Sequence, residues 1–408
     1  MNRARRCLVA IVSLAIAATT LTGTAPPPPP TPAPSSTPQK NCRPTAPGSE
    51  VRKDGAVMAC VESSPAQAPA ATGTAGPARL TEPYCVPDQE NGTFRFGSTR
   101  HGYCTEKTVT YTLYDEAGAT LGTGVVKVAT FATLDPKSRT WSETVQATAT
   151  EVSSRVGALL IGFEASCSYS CTMDRAKAWG GKHELLNRGQ SKDDYVTYRT
   201  TVANGFQSVV VPRYKVDLYS VGESAPGKRD NEWNGLTLRC DAVLADPGCI
   251  VSGNMANVNI SIGRYGAAAI TYLWAQHNLY ANNFGTKEKP LERNADENAA
   301  KRKRYQTCDA APDPMVRRPD LVPDDSCDEF PFAGSFQGGT NGAQCAEILP
   351  FKENGGWQVD VMEPRSNAPC VRSHVPNGDN TGAGGEYGRA VQSERILDGE
   401  FYTVTVTE

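Results

Sequence analysis

Histidine is scarce in this sequence of 408 residues, which has four of them, and neither sign of charge is in excess: 41 basic and 44 acidic side chains leave a formal net charge of −3. With no global positive field, a nucleic-acid or membrane partner would have to be gripped locally. There is no C-x-x-C pair, and His101, His183, His277 and His374 are scattered, which argues against structural zinc. No apolar run reaches the ~20 residues of a membrane-spanning helix. No internal repeat is visible. What is plentiful is turn chemistry, with 37 Gly and 29 Pro, and this disfavours a helical bundle. Hydrophobic residues at 39% and charged residues at 21% describe a soluble globular chain, and its length predicts two or three units.

The amino terminus reads as a cleaved secretory signal over residues 1–25. Arg3, Arg5 and Arg6 precede an apolar run from Leu8 to Ala18 and a small-residue exit, Gly23-Thr24-Ala25. Cys7 precedes that run, whereas a lipid-modified cysteine would follow it. The expectation is a secreted, extracellular protein without stable membrane insertion. Removing Cys7 leaves twelve of the thirteen cysteines, an even number that in an oxidising compartment implies disulfides. Residues 26–83 begin with PPPPPTPAP and stay rich in Pro, Ser, Ala and Thr, so they are expected to form a disordered linker or tether, with Cys42 and Cys60 closing one loop.

From 84 to 263 the texture is short alternating segments such as Thr108–Tyr114, Val125–Leu134, Thr140–Val152 and Ser208–Tyr219, separated by turns such as Asp135-Pro136-Lys137. This predicts an antiparallel, sandwich-like β domain. It carries no legible catalytic constellation, and its role is open. The region 264–408 changes period. Ile270, Leu273, Trp274 and His277 fit a helix, and a second helix is predicted over Arg293–Tyr305 with Lys301, Arg302, Lys303 and Arg304 in its last turn. There they would match the helix dipole or form a phosphate-binding patch.

The densest chemistry begins at Cys327. Asp328 and Glu329 adjoin an aromatic-proline segment, Phe330-Pro331-Phe332, and a glycine turn, Gly338-Gly339, which suits a hard cation. Further on, Pro376-Asn377-Gly378-Asp379-Asn380 opens a short helix predicted over Glu386–Ser393. Asp379 or Asn380 would either cap it or supply oxygen ligands. Cys308, Cys327, Cys345 and Cys370 are disulfide candidates able to pair among themselves, Cys345 with Cys370 being the preferred local pair.

The order CDEFPFA, then GG, then DN-x-GAG, then Arg395-Ile396-Leu397-Asp398-Gly399 before Phe401-Tyr402-Thr403-Val404 resembles the NucA/NucB secreted bacterial deoxyribonuclease family. The resemblance reaches back more loosely through His277 and Pro290 to Arg304, about a third of the chain. It implies a small α+β, ββα-metal-type nuclease that hydrolyses phosphodiester bonds of extracellular DNA with Mg²⁺ or Mn²⁺. By this resemblance Asp328 replaces the usual histidine base, and Glu329 and Asn380 are the best matches for metal ligation, with Asp379 weaker and Glu386 unassigned. His374, Arg304 and Arg395 are expected near substrate phosphates, and structural hydrogen bonding is the expected role of His277. Phe330 and Phe332 read as core. The alternative is a wall-associated or ligand-binding secreted protein whose nuclease-like domain has lost catalysis. The sequence leaves open DNA against RNA preference.

Overall fold

The computed structural model describes residues 39–64, 97–225, 231–279, 281–365 and 367–408. The expected signal segment and the polyproline run lie outside these residues. The expectation of a disordered linker over 26–83 is corrected for 39–64. There the strands Gln39–Pro44 and Met58–Ser63 pair antiparallel around a one-turn helix, Glu50–Lys53, and the Cys42–Cys60 disulfide joins them. Composition misled because Val51, Ala56, Ala59 and Val61 bury into a neighbouring core rather than making one of their own.

That hairpin extends an eight-stranded antiparallel sheet whose main strands are Gly102–Tyr114, Thr120–Thr133, Thr140–Val152 and Ser191–Thr200. The alternation read from the sequence is realised in Thr140–Val152, where Trp141, Glu143, Val145, Ala147 and Ala149 point inward and their neighbours outward. A four-stranded sheet around Leu159–Cys167 and Pro212–Ser220 contributes Ile161, Phe163, Val216 and Leu218 to the same apolar core. A three-stranded sheet contains Gln207–Val210, Leu238–Asp241 and Gly248–Val251. Glu143 is fully buried, and three tyrosine hydroxyls donate to it, from Tyr103, Tyr198 and Tyr214 at 3.0, 2.5 and 2.5 Å. Burial drives this carboxyl above its ordinary pKa, and the tyrosine hydrogen bonds offset part of that rise.

The carboxy-terminal region begins earlier than the expected boundary at 263/264. Strand β1 (Ala256–Ser261) runs into helix α1 (Ile262–Asn278) and pairs in parallel with the final strand, so it belongs to this region. There follow β2 (Leu291–Glu292), α2 (Glu297–Cys308), β3 (Asp325–Phe330), β4 (Ala346–Glu353), β5 (Gly356–Glu363), β6 (Val371–Pro376), α3 (Asn377–Ser393) and β7 (Phe401–Thr407). The sheets are ordered β1-β7-β2 and β3-β6-β4-β5. Between them a second core forms around Tyr265, Tyr272, Phe330, Ile348, Val371 and Tyr402. Phe330 and Phe332 sit in it as expected, each packed on the ring of Tyr272.

Two helices differ from their predicted spans. Helix α2 continues one turn beyond Arg304 to the buried Thr307 and Cys308, so the basic run is mid-helix and does not face the negative end of the dipole. Helix α3 starts at Asn377, well before Glu386, although it contains five glycines, each costing roughly 1 kcal/mol against alanine. Packing supplies what propensity lacks. A Cβ at Gly382 would stand 3.1 Å from the Tyr265 ring, so the glycine lets α3 lie close on α1.

Both regions belong to one compact unit, Thr37–Glu408. The join is polar: Arg100 bonds Glu400 at 2.5 Å and the Asn254 carbonyl at 2.7 Å, and Arg239 bonds Glu400 at 2.6 Å. Disulfides join Cys167–Cys171, Cys240–Cys249, Cys308–Cys327 and Cys345–Cys370, and Cys104 is disulfide-bonded as well. Among the described residues no helix is long and apolar enough to cross a membrane.

Candidate active site

Strand β3 carries the carboxylates, and its alternation decides what they can share. Side chains on successive strand residues point to opposite faces. Asp328 and Phe330 face α1, where both meet Tyr272; Cys327 and Glu329 face α2, where Cys327 bonds Cys308 and Glu329 Oε1 lies 3.7 Å from Arg304 Nε. The expected joint ligation of one ion by Glu329 and Asn380 is therefore not what the geometry favours. Adjacency in sequence became separation across a sheet.

On the α1 side, Asp328 is 4% exposed, its Oδ1 accepts from the Glu329 amide at 2.9 Å, and its Oδ2 is buried with no hydrogen-bond partner. Burial raises its pKa to about 7, while the Tyr272 hydroxyl, the Glu329 amide and Arg304 pull the other way and Asp379 adds to the rise. Glu329 is pushed up to about 8 by burial and by the Asp328 charge, with Arg304 opposing. An uncompensated buried pair of this kind takes up a cation or a proton.

Helix α3 brings its first turn to the same side. Strands β3 and β6 pair antiparallel from Asp325↔Pro376 to Phe330↔Val371, and α3 follows β6 directly. Asn380 sits in that first turn, where its Nδ2 donates to the Cys327 carbonyl at 2.9 Å and to Ser326 Oγ at 3.1 Å, fastening α3 to β3 beside Asp328. Neither Asp379 nor Asn380 caps α3, since Pro376 holds the capping position. Asp379 instead reaches across to α1. Gly266, at φ +36°, breaks that helix, and the freed amide of Ala267 donates to Asp379 Oδ2 at 2.8 Å. Any Cβ at Gly266 would collide with that carboxylate.

Among the described residues no group of three or more His, Cys, Asp or Glu side chains is placed to hold a metal ion. On the α1 side of β3 lie Asp328 and Asn380, with Asp379 near enough for its charge to act on Asp328. This small, hard donor set, with the unpartnered Asp328 Oδ2, suits an ion that keeps most of its waters, as Mg²⁺ and Mn²⁺ do.

Two expected phosphate contacts are elsewhere. His374 is fully buried between Asp325 (2.7 Å) and Glu347 (3.1 Å), and Glu347 also holds Arg372 at 2.6 Å. It shares the Cys327 and Glu329 face and has no route to a substrate. Arg395 is 1% exposed; its Nε donates to Asp241 at 2.9 Å and its Nη1 to the Asp246 carbonyl at 2.8 Å, so it rivets the two regions together. Both were chosen for residue type, which says nothing of depth. Arg304 remains exposed beside Glu329. His277 is structural as expected, donating from Nδ1 to the Leu273 carbonyl, and Glu386 accepts from Tyr265 and Arg389. The sequence reading missed Tyr272 and Gly266. A glycine interrupting an apolar helical pattern was the one signal that pointed to either.

Together these features place a buried carboxyl with a raised pKa on β3, against the first turn of α3 and near the basic helix α2. Residues 278–405, the C-terminal third, match the family model of the deoxyribonucleases NucA/NucB. The match carries β3, the Asn380 turn and most of β7, and leaves β1 and nearly all of α1 outside. No curated protein matches the chain.

Proposed function

We propose that the chain is a secreted, divalent-cation-dependent deoxyribonuclease in which Asp328 is the general base. The observation that carries the reading is the buried, unpartnered Asp328 Oδ2 with its pKa near 7, in a segment that matches a deoxyribonuclease family. A base is most effective when its pKa lies near the working pH, because it is then both unprotonated and basic enough to take a proton. Strand β3, β6 and α3 together favour a ββα-metal-type arrangement. Asp379 and the Asn380 oxygen would hold the ion beside Asp328, and the ion would neutralise charge on the phosphate and the departing 3′ oxygen.

The remaining steps belong to the protein's own groups. Asp328 accepts a proton from the water that attacks in line. Tyr272 closes the pocket behind it and keeps bulk water from the carboxyl. Asn380 fixes the helix corner to the strand, and Arg304 meets a phosphate oxygen from the exposed side. Five disulfides among the described cysteines support an oxidising, extracellular setting.

DNA hydrolysis with Mg²⁺ or Mn²⁺, and with chelator, tests the reading on the disulfide-intact chain. Asp328→Asn should lower kcat by ~10² to 10⁴-fold. Near-normal turnover in a folded Asp328→Asn protein excludes Asp328 as the base, undiminished hydrolysis in chelator excludes the metal, and no hydrolysis by the parent chain leaves a binding role.

A further inference from the structure

The nuclease reading uses Arg304 and leaves the rest of the exposed face of α2 without a task. That face borders an open cleft of about 550 Å³ lined by Lys301, Arg302, Tyr305, Gln306, Ala310 and Asn341. Tyr305 is 61% exposed. A tyrosine on a helix lays its ring back over the preceding turn, which here carries Lys301 and Arg302. Among the described residues no ring or cation is stacked on it, whereas the other exposed aromatic beside this helix, Phe336, is already covered by Lys303 at 5.6 Å.

A lone exposed tyrosine needs no explanation. This one combines an open ring face, a cleft, unequal neutralisation of its cations and continuity with the candidate site. Arg302 is partly neutralised by Asp296 at 3.5 Å, while Lys301 has no ion pair among the described residues. Arg304, the residue before Tyr305, stands 3.7 Å from Glu329 on the strand that carries Asp328. A ring one residue from that arginine is within a nucleotide's reach of a phosphate held there. Stacking on aromatic rings with cations along the backbone is how proteins grip nucleic-acid strands.

We propose that Tyr305 is a stacking platform for an unpaired nucleobase next to the phosphate held by Arg304, with Lys301 on the neighbouring phosphate. The identity of the substrate rests on the nuclease reading; the stacking does not require turnover. Base stacking on such a ring is worth roughly 5- to 150-fold in affinity.

The test is binding of a fluorescein-labelled oligothymidine and of its abasic counterpart of equal length, followed by anisotropy in chelator with the full disulfide-intact chain. The parent protein should prefer the base-bearing strand by at least about fivefold. Tyr305→Ala should abolish that preference and leave abasic affinity unchanged, Tyr305→Phe should keep it, and Lys301→Ala should weaken both strands alike. No preference in the parent protein, or a preference that survives in Tyr305→Ala, overturns the proposal. Cleavage of the same strand with Mg²⁺ or Mn²⁺ is scored separately. Its failure would remove the nuclease reading while the stacking result stands.

Discussion

Arg395→Ala is the sharpest structural perturbation available, because it removes one partner of a buried pair and leaves the other. The guanidinium is 1% exposed and Asp241 is wholly buried. Both Asp241 oxygens accept from Arg395, as do the carbonyls of Asp241 (3.0 Å), Asp246 (2.8 Å) and Pro136. Among the described residues only Arg239, at 3.5 Å, would remain to compensate the aspartate. Breaking a buried pair from one side costs roughly 3–5 kcal/mol, whereas removing both charges costs much less. Equilibrium urea unfolding, followed by circular dichroism with disulfides intact, should show that loss for Arg395→Ala. Asp241→Asn combined with Arg395→Ala should recover part of it, a coupling that a double-mutant cycle isolates. A loss below about 1 kcal/mol, or strictly additive singles, would refute the view that this pair joins the two regions.

Two further outcomes follow from the same geometry. The pKa of Asp328 is raised to about 7 and that of Glu329 to about 8, so both groups bind protons in the folded state that the unfolded chain has already released. Their stabilisation is complete below pH ~4 and is lost as pH rises through 7 and 8, on the order of 4 kcal/mol for Asp328. His374 acts in the same direction: burial pulls it down, but the hydrogen bonds to Glu347 and Asp325 outweigh this and its net pKa is raised. Melting temperature of metal-free protein should therefore fall between pH 5 and 8, with Mg²⁺ or Mn²⁺ reversing the Asp328 part; a flat profile would contradict the burial argument. A fragment from Gly263 should fail to fold, since it lacks β1, while one from Ser252 should fold but less stably, because the partners of Arg395 and Glu400 are cut away. Equal stability of the fragment and the full chain would count against the polar join.

Strands were legible wherever one face is buried, as in Thr140–Val152, because period-two alternation is written in the residues themselves. The hairpin over 39–64 was not, since its few apolar residues complete a core built by distant strands. Helix α3 was cut short in prediction because glycine propensity is a local quantity and close packing on Tyr265 is not. The site divides the same way. Asp328, Arg304 and the Asn380 turn were recognisable from residue type and order, and the structure brings them to one strand–helix corner and its flank.

By itself the sequence determined the β-rich class, the cysteine chemistry and the family resemblance of the final third. Only the tertiary structure decided depth and facing. It buried His374 and Arg395, set Glu329 across the sheet from Asp328, and raised the Asp328 pKa by burying it. The physical reason is that charge, hydrogen-bonding capacity and alternation belong to residues and their neighbours in the chain, whereas desolvation and the face a side chain presents are set by groups that only folding brings near.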